Sequence, residues 1–174
     1  MIGLERGIVK VCPYTVEWKR LFEEEKNRLQ AVIGEYVLDI QHVGSTSIPG
    51  MAAKPIIDIG IAVRNFQEAA VCIEPVVELG YEYRGENGIP RRHFFVKRDP
   101  RTTHHVHVNE ADGRDWENQV FFRDYLIQHP GVAQGYAKLK LELARLFPTD
   151  RPAYLDGKAA LIERVLRLAR LERE

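Results

Sequence analysis

Apolar residues near the N-terminus recur with the spacing of an α-helix. Between Thr15 and about Gly34 they fall on one stripe, formed by Trp18, Leu21, Phe22, Leu29, Val32 and Ile33. Residues three and four positions apart share a face of a helix, so this pattern is typical of an amphipathic helix. Thr15 is a residue type that caps helices, and Gly34 is one that ends them. The pattern predicts a first helix packed against a core.

Four further segments have the apolar or alternating character of β-strands. They cover residues 37–43, 54–63, 93–98 and 103–109. The second is the clearest of the four, and Asp99-Pro100 supplies a turn between the last two. These segments predict a sheet of at least four strands.

Helical patterns fill the remainder of the chain. Asn65 caps an amphipathic segment that closes at Gly80, and Pro75 inside it predicts a kink or a break. Helical periodicity later continues to the end of the chain. It forms three segments, which start near Arg114, Gly131 and Arg151.

The order of these elements predicts an α/β (α+β) fold: a mixed sheet with helices on one face, followed by a helical C-terminal third. A length of 174 residues suits one domain covering 1–174, and no repeat or Gly/Ser-rich linker divides it. We expect the sheet core at about 8–112 and the C-terminal helices at about 114–174.

Composition narrows the classes of partner. Lysine plus arginine number 25 and aspartate plus glutamate also number 25, so the formal net charge is zero. Such a balance gives no general attraction to nucleic acid or to an anionic membrane, and we expect neither as a partner. No apolar run has the length of a membrane span, Cys12 and Cys72 form no CxxC motif, and the first ten residues lack a signal-peptide core. We expect a cytoplasmic protein.

The strand at 54–63 carries a carboxylate on an unusual face. Ile57, Ile59, Ile61 and Val63 alternate toward one side, while Ile56, Asp58, Gly60 and Ala62 alternate toward the other. A carboxylate among small residues favours a metal or substrate ligand at Asp58. A solvated aspartate bonded to neighbouring backbone is the alternative.

The segment between the first two predicted strands contains the turn Gly44-Ser45-Thr46. Glycine lets backbone approach a ligand closely, and successive N–H groups with hydroxyls can hold phosphate oxygens. It is not a Walker loop, because no Gly-Lys-Ser/Thr follows. A plain turn is the alternative. Lys54 and Arg92 are further candidate phosphate ligands.

Histidines occupy the last predicted strand. With Val106 and Val108 facing the core, His105 and His107 share the opposite face. Two histidines at i and i+2 can hold one metal ion, bind phosphate, or act as acid and base near neutral pH. Surface histidines on an exposed strand are the alternative. The neighbouring basic residues are Arg91, Arg92, His93 and Lys97, of which alternation lets only some face the same side.

Two tyrosine–lysine pairs repeat at helical spacing in the C-terminal third. They are Tyr136 with Lys140 and Tyr154 with Lys158. Each lysine lies on an apolar stripe, where it either snorkels to solvent or presents its ammonium group to a phosphate-binding cleft.

A strand, a Gly-Ser turn, about a dozen residues and a strand bearing aspartate together resemble the signature of the nucleotidyltransferase superfamily. The longer string HVGSTSIPGMAAKPIIDI, followed by LGYEY and THHVHV, resembles the GrpB family, an uncharacterised family also designated UPF0157. The resemblance covers nearly the whole chain. Proteins of this family also occur fused to dephospho-coenzyme A kinase.

The resemblance implies a sheet with an open face on which a nucleoside triphosphate would sit. Gly44 and Ser45 correspond to the phosphate-holding turn, and Asp58 to the first carboxylate of an Asp-x-Asp/Glu metal pair. Here Gly60 stands at the second position, so a two-metal site loses a ligand, although one Mg²⁺ can bind through a carboxylate and substrate phosphates. Lys140 and Lys158 become the functional lysine pair.

Three hypotheses follow. The first is a nucleotidyltransferase that binds a nucleoside triphosphate or related phosphorylated metabolite, with Asp58 and His107 as catalytic residues. The second is a nucleotide- or phosphoester-binding module with a degenerate metal site. The third is a metal-dependent hydrolase that uses Asp58, His105 and His107. These three residues form the candidate metal site, for Mg²⁺ or Mn²⁺, with Zn²⁺ as an alternative because histidine favours it.

Overall fold

The chain forms five β-strands and five α-helices in the computed structural model, which describes residues 2–174. The strands are β1 (Asp39–Val43), β2 (Ile57–Val63), β3 (Tyr81–Tyr83), β4 (Arg92–Arg98) and β5 (Thr102–Glu110). The helices are α1 (Glu17–Ile33), α2 (Ile73–Glu78), α3 (Arg114–Gln128), α4 (Pro130–Leu146) and α5 (Arg151–Leu171). Among the described residues, none of the helices has the length and apolarity that crossing a membrane requires.

The sheet is mixed, with strand order β1-β2-β5-β4-β3. The central pair, β2 and β5, is parallel, and the other three pairs are antiparallel. The predicted mixed sheet and helical C-terminal third are thus confirmed. The edge strand β3 has only three residues, which is too short for alternation to predict, and it was missed. Strand β2 starts at Ile57 instead of Lys54, since Pro55 has no backbone N–H to donate.

Helices α1 and α2 cover one face of the sheet. Ile57, Ile59 and Ile61 are fully buried against residues of α1 such as Trp18 and Leu29. Full burial of one such side chain contributes about 1.5–3 kcal/mol. A slip of β2 by one residue would bring Asp58, Gly60 and Ala62 into this core in place of the isoleucines, so the core fixes which face Asp58 occupies.

The segment after β2 breaks into two short helices, as the proline predicted. Asn65 Oδ1 accepts hydrogen bonds from the backbone N–H groups of Gln67 and Glu68, at 2.9 and 3.1 Å. A 3-10 turn, Glu68–Cys72, precedes α2. Pro75 lies in the first turn of α2, where the missing N–H is tolerated, so the break comes before the proline.

The C-terminal helices lie against the second face of the sheet. Helix α3 contacts β1, β2 and β5, and a Cβ at Gly60 would stand 3.2 Å from the Trp116 ring of α3. Helices α3, α4 and α5 enclose a second apolar cluster that includes Ile48 and Met51 from the segment after β1. The implied open face is therefore covered by α3 over part of β2.

Candidate functional site

Strand pairing places Asp58, His105 and His107 on one face of the sheet. Asp58 pairs with His105 across β2 and β5, and Gly60 pairs with His107. His107 Nε2 lies 3.0 Å from Asp58 Oδ1, and His105 Nδ1 lies 3.4 Å from the same oxygen. Both imidazoles therefore engage Oδ1 and leave Oδ2 to other partners.

The two histidines control the charge of Asp58. Burial favours the neutral acid, but hydrogen bonds from His105 and His107 outweigh it and hold the pKa of Asp58 well below its usual range. Burial in turn lowers the pKa of His105, although the Asp58 carboxylate opposes that shift. The carboxylate is thus ionised at neutral pH.

The turn that follows β1 lies directly against this carboxylate. Gly44 has φ +70°, and a Cβ there would stand 2.6 Å from Asp58 Oδ2. Only glycine combines that backbone conformation with so close an approach. Ser45 begins a 3-10 turn, Ser45–Ser47, which Ser47 closes by donating its Oγ hydrogen to Gly44 O at 2.5 Å. Thr46 is buried, with its Oγ1 2.9 Å from His42 Nε2.

Helix α4 brings Lys140 to the same place. Its Nζ donates to the backbone oxygen of Ala52 at 2.5 Å and lies 4.6 Å from the centre of the Tyr136 ring. The side chain is 1% exposed. Burial, with Lys158 and Lys54 nearby, lowers the pKa of Lys140 to about 7.

Helix α5 contributes Lys158 and Tyr154. Lys158 Nζ lies 4.5 Å from the centre of the Tyr154 ring, and Lys54 Nζ lies 5.5 Å from the same centre. Burial and neighbouring Lys54 lower the pKa of Lys158 to about 8, while Asp58 acts in the opposite direction. Burial also lowers the pKa of Lys54. Neither Lys140 nor Lys158 snorkels to solvent, because both are buried.

These groups line one cavity of about 250 Å³, which we call the cation cavity. It is lined by Gly44 and by the polar residues Ser45, Thr46, Lys54, Asp58, His105, Tyr136, Lys140, Arg151, Tyr154 and Lys158. Four of them are cationic, and among the described lining residues Asp58 is the one carboxylate. The Tyr154 hydroxyl is buried with no hydrogen-bond partner in the described part of the chain.

Arg151 is a lining residue that the sequence patterns did not single out. It is the first residue of α5, and Asp150 caps that helix by accepting a hydrogen bond from Ala153 N at 3.0 Å. The Asp150-Arg151-Pro152 string signals a helix start. It does not indicate which cavity Arg151 lines.

Arg92 and His107 lie outside the lining of the cation cavity. Arg92 donates from Nη2 to the backbone oxygens of Glu86 and Asn87, both at 3.1 Å, so its guanidinium is occupied. Its Nη1 lies 3.3 Å from His107 Nδ1. Arg92 therefore does not line the cation cavity, and its predicted role as a phosphate ligand stays a prediction.

The other basic residues near β4 have separate partners. Lys97 Nζ donates to Glu25 Oε1 at 2.7 Å on the core face, and His93 stacks on Phe66. Arg91 pairs with Glu110. Alternation along β4 therefore leaves Arg92 as the one of the four that shares a face with His107.

The contact between Arg92 and His107 decides how His107 can act. A guanidinium has only donors, so His107 Nδ1 must accept and Nε2 must carry the proton that it donates to Asp58. An ion held between Asp58 and Nε2 of His107 needs the reverse tautomer, with a free Nε2 electron pair and an Nδ1–H that faces an acceptor. Ligand atoms of Asp58, His105 and His107 lie within 4.8 Å of one another, and His107 would have to change tautomer to bind an ion there through Nε2.

Gly60 leaves the site without a second carboxylate, and α3 fills the place where one would stand. A Cβ at Gly60 would lie 3.0 Å from Gln119 Oε1 and 3.2 Å from Trp116 Cζ3. Asp58 Oδ2, which faces the Gly44 turn, remains able to hold one divalent ion together with oxygens of a phosphorylated ligand.

Fold and site define an α/β protein with a cationic cavity on a mixed sheet, and comparison with known proteins identifies the family. Residues 8–168 match the family model described as GrpB protein. The chain belongs to the GrpB family.

Individual relatives agree with this assignment. The UPF0157 protein YqkA of Bacillus subtilis (strain 168) is 44% identical over 150 residues, which cover 86% of this chain and 44% of YqkA. The chain thus spans less than half the length of YqkA. The glutamate-rich protein GrpB of Alkalihalophilus pseudofirmus is 37% identical over 171 residues, covering 95% of this chain and 98% of that protein.

A solved structure has the same fold. The crystal structure of the conserved protein GrpB from Enterococcus faecalis matches with a TM-score of 0.87 at 35% identity, covering 92% of this chain and 96% of that one. Likeness to the Cid1 poly(U) polymerase bound to Mg 3'-dATP is low, with a TM-score of 0.46 at 11% identity over 74% of this chain and 43% of that one. It supports no conclusion about this chain.

Proposed function

We propose that this GrpB-family protein binds a nucleoside triphosphate, or a related polyphosphorylated metabolite, in the cation cavity. One observation carries the proposal: Lys54, Lys140 and Lys158 converge with Arg151 on a cavity in which Asp58 is the one described carboxylate. Burying ammonium groups without counter-charge is unfavourable. A polyphosphate would supply that charge, and its binding would restore full protonation of the lysines.

The turn Gly44-Ser45-Thr46 supports the same ligand. It lines the same cavity as the lysines of α4 and α5 and offers backbone N–H groups and hydroxyls. Such groups hold phosphate oxygens without adding charge. A strand, a Gly-Ser turn and a following strand that bears Asp58 also resemble the nucleotidyltransferase signature, which favours a nucleotide as the source of the phosphates.

Nucleotidyl transfer is the reaction that this arrangement suits best. An acceptor oxygen would form a bond to the α-phosphorus while the bond from that phosphorus to its bridging oxygen breaks, so that pyrophosphate leaves with the electron pair. His105, held through Nδ1 by Asp58, would take the acceptor's proton on its other nitrogen. Asp58 with ligand phosphates would hold Mg²⁺ or Mn²⁺, which supplies neutralisation of charge on the phosphate oxygens.

A second candidate function, binding without transfer, is favoured by Gly60. Phosphoryl-transfer sites that use two ions need carboxylates for both; position 60 has none, and Gln119 and Trp116 of α3 crowd the place where its Cβ would stand. The third hypothesis, a metal-dependent hydrolase built on Asp58, His105 and His107, is disfavoured, because the Arg92 guanidinium faces His107 Nδ1.

Ligand-induced thermal stabilisation tests the proposal. Tripolyphosphate and the four common nucleoside triphosphates are added with and without Mg²⁺ or Mn²⁺, and binding at a hundredfold excess over Kd stabilises by about 2.7 kcal/mol. Lys140→Met keeps an unbranched side chain one heavy atom shorter and removes the charge, so the stabilisation should be lost. Lys138→Met, an exposed change on the same helix, is the matched control. An unchanged response in Lys140→Met would refute the proposal.

Release of pyrophosphate separates the two candidates. A protein that binds nucleoside triphosphate and releases pyrophosphate in the presence of a metabolite extract is a transferase. Binding of the same ligand with no release under any metal supports the binding module.

A further inference from the structure

A second cavity adjoins the cation cavity on the same face of the sheet. It has a volume of about 190 Å³ and lies over β4 and β5. Phe94 and Val96 of β4 and His105 of β5 contribute to its lining. Its lining also includes the N-terminal segment 4–8, Lys54, Ile56, residues of the β3–β4 connection, Arg98, Thr102 and the start of α5.

The two cavities share a boundary. Lys54, Ile56, His105 and Arg151 line both of them. Among these, His105 is the residue that Asp58 holds, with Nδ1 at 3.4 Å from Oδ1. A group bound in one cavity therefore meets a group bound in the other beside the Asp58–His105 pair, where the proposed transfer would occur.

The second cavity has an apolar floor. Phe94 is 7% exposed and Val96 is 6% exposed, and both lie on the strand face that carries Arg92. The Phe94 ring centre lies 5.3 Å from the His105 ring centre. A flat apolar group would pack on these side chains, whereas a chain of phosphates would not.

The rim of the second cavity is cationic. Arg6, Arg84, Arg98 and the shared Arg151 line it, and Glu5 is the one carboxylate among the described lining residues. Glu5 lies 3.6 Å from Arg101, and Arg84 pairs with Glu82 at 2.8 Å. A positive rim around an apolar floor selects a ligand with an anionic group attached to a ring.

We propose that this second cavity binds the acceptor of the transfer reaction, and that the acceptor is a small planar-ring metabolite carrying one phosphate or carboxylate group. The proposal rests on the proposed function, because an acceptor is needed only if the protein catalyses transfer. Binding at this cavity can nevertheless be measured without transfer. A volume of about 190 Å³ suits a ring and its substituent, since ligand sites enclose most of a small molecule's surface. We call this the acceptor cavity.

Phenyl phosphate is the minimal probe, with inorganic phosphate and phenol as its two halves. Calorimetric titrations are made with tripolyphosphate saturating the cation cavity. Phenyl phosphate should bind about tenfold more tightly than inorganic phosphate, because the ring adds buried apolar area. Equal affinities for phenyl phosphate and inorganic phosphate would overturn the proposal.

Variants locate the binding. Arg84→Gln removes a charge from a partly exposed side chain without disturbing the core, and it should weaken phenyl phosphate about two- to fivefold, the range of an exposed ion pair. Arg164→Gln, which lines neither cavity, is the control. The same loss in both variants would overturn the location.

Methyl NMR gives a readout that does not depend on affinity. A ring packed on the floor should shift the Val96 methyl signals, whereas Val106, fully buried on the opposite face, should not move. Failure of tripolyphosphate to bind would refute the cation cavity, and the Val96 shift would still report on the acceptor cavity. Tripolyphosphate binding with no Val96 shift at saturating phenyl phosphate would refute the acceptor cavity alone.

Discussion

The Asp58 carboxylate lies so close to Gly44 that a methyl group at position 44 would stand 2.6 Å from Asp58 Oδ2. The turn and the carboxylate therefore form one unit, in which the two histidines hold Oδ1 and the turn faces Oδ2. A substitution in the turn should therefore alter the position of the Asp58 carboxylate, and a substitution of Asp58 should alter the turn.

Gly44→Ala should abolish ligand-induced stabilisation. A residue other than glycine at positive φ costs about 1–3 kcal/mol by itself, and the contact with Asp58 should make the loss of unfolding free energy larger than that. Gly50→Ala is a matched control, because Gly50 has φ +76° and no atom within 4 Å of its Cβ position. Chemical unfolding of both variants isolates the contact with Asp58. Equal losses of stability, with tripolyphosphate binding retained in both, would contradict this prediction.

Asp58→Asn should remove ligand binding and lower the free energy of unfolding at pH 7 by about 1.5–3 kcal/mol, the contribution of a hydrogen bond to a charged group. The pKa of Asp58 is lowered in the folded state. Its stabilisation is therefore present above the unfolded pKa near 4 and is lost as the pH falls. The difference in stability between the variant and the natural protein should shrink below about pH 4.

Glu25→Gln is the control for Asp58→Asn. Glu25 is a buried carboxylate on the core face, where it accepts hydrogen bonds from Tyr81 and Lys97. Its loss should destabilise the protein while tripolyphosphate still binds. If both variants keep ligand binding, Asp58 is a structural residue.

Lys140 should make ligand binding depend on pH. Its pKa is lowered to about 7 in the folded protein, so it is largely neutral at pH 8–9, and binding of a polyphosphate must protonate it. Affinity for tripolyphosphate should fall by up to about tenfold per pH unit above pH 7 for each such lysine. Calorimetry in two buffers of different ionisation enthalpy should report proton uptake, which Lys140→Met should reduce.

The lowered pKa of Lys140 has the opposite effect on the protein without ligand, whose free energy of unfolding should rise with pH. Between about pH 7 and pH 10 the unfolded state holds a proton on Lys140 that the folded state has released, so stability rises with pH. Lys140→Met should flatten that rise. A slope that is unchanged in the variant would show that Lys140 is protonated in the folded protein.

Alternation along strands predicted which side chains share a face, and the structure agrees. Asp58, His105 and His107 meet because each follows or precedes a fully buried aliphatic residue, such as Ile59 or Val106, on a central strand. The spacing of apolar positions also predicted all three C-terminal helices, with their starts within about one residue of those found. Local apolar patterns are sufficient to predict a helix or strand, and the face each residue occupies, where one face of that element is buried.

Contacts between distant elements could not be predicted in the same way. Nothing local to Arg92 indicates that its guanidinium meets His107 and the carbonyls of Glu86 and Asn87. Likewise, the spacing of Tyr154 and Lys158 predicted a shared helix face, but not that Lys54, a hundred residues away, lies over the same ring. The first relationship depends on how β4 pairs with β5 and how the β3–β4 connection folds back on them, and the second depends on how α5 docks; a sequence pattern encodes neither.

The Arg92–His107 contact predicts the tautomer of His107 and its response to metal. Long-range ¹H–¹⁵N spectra should show His107 protonated on Nε2, and Zn²⁺ without ligand should not displace that proton. Arg92→Met removes the donor, so the variant should accept the other tautomer and bind Zn²⁺ more tightly than the natural protein. Tight Zn²⁺ binding by the natural protein that His107→Ala removes would contradict this and restore the three-residue metal site.

Position 60 separates a transferase from a binding module. Gly60→Asp places a Cβ 3.0 Å from Gln119 Oε1 and 3.2 Å from Trp116 Cζ3, so we expect a loss of about 1–3 kcal/mol from overpacking and no Mg²⁺-dependent release of pyrophosphate. Gly60→Ala carries the same Cβ without the carboxylate and measures the steric part. Combining Gly60→Asp with Gln119→Ala should recover most of the stability, because the shortened side chain no longer meets the new carboxylate.

That double variant gives the decisive measurement. If it releases pyrophosphate from a nucleoside triphosphate with Mg²⁺ and the natural protein does not, the natural site lacks only its second carboxylate and the protein is a binding module. If the natural protein already releases pyrophosphate with Mg²⁺, and His105→Ala abolishes the release while Gly60→Ala leaves it in place, one ion and the Asp58–His105 pair are sufficient for transfer. The binding-module hypothesis would then be wrong.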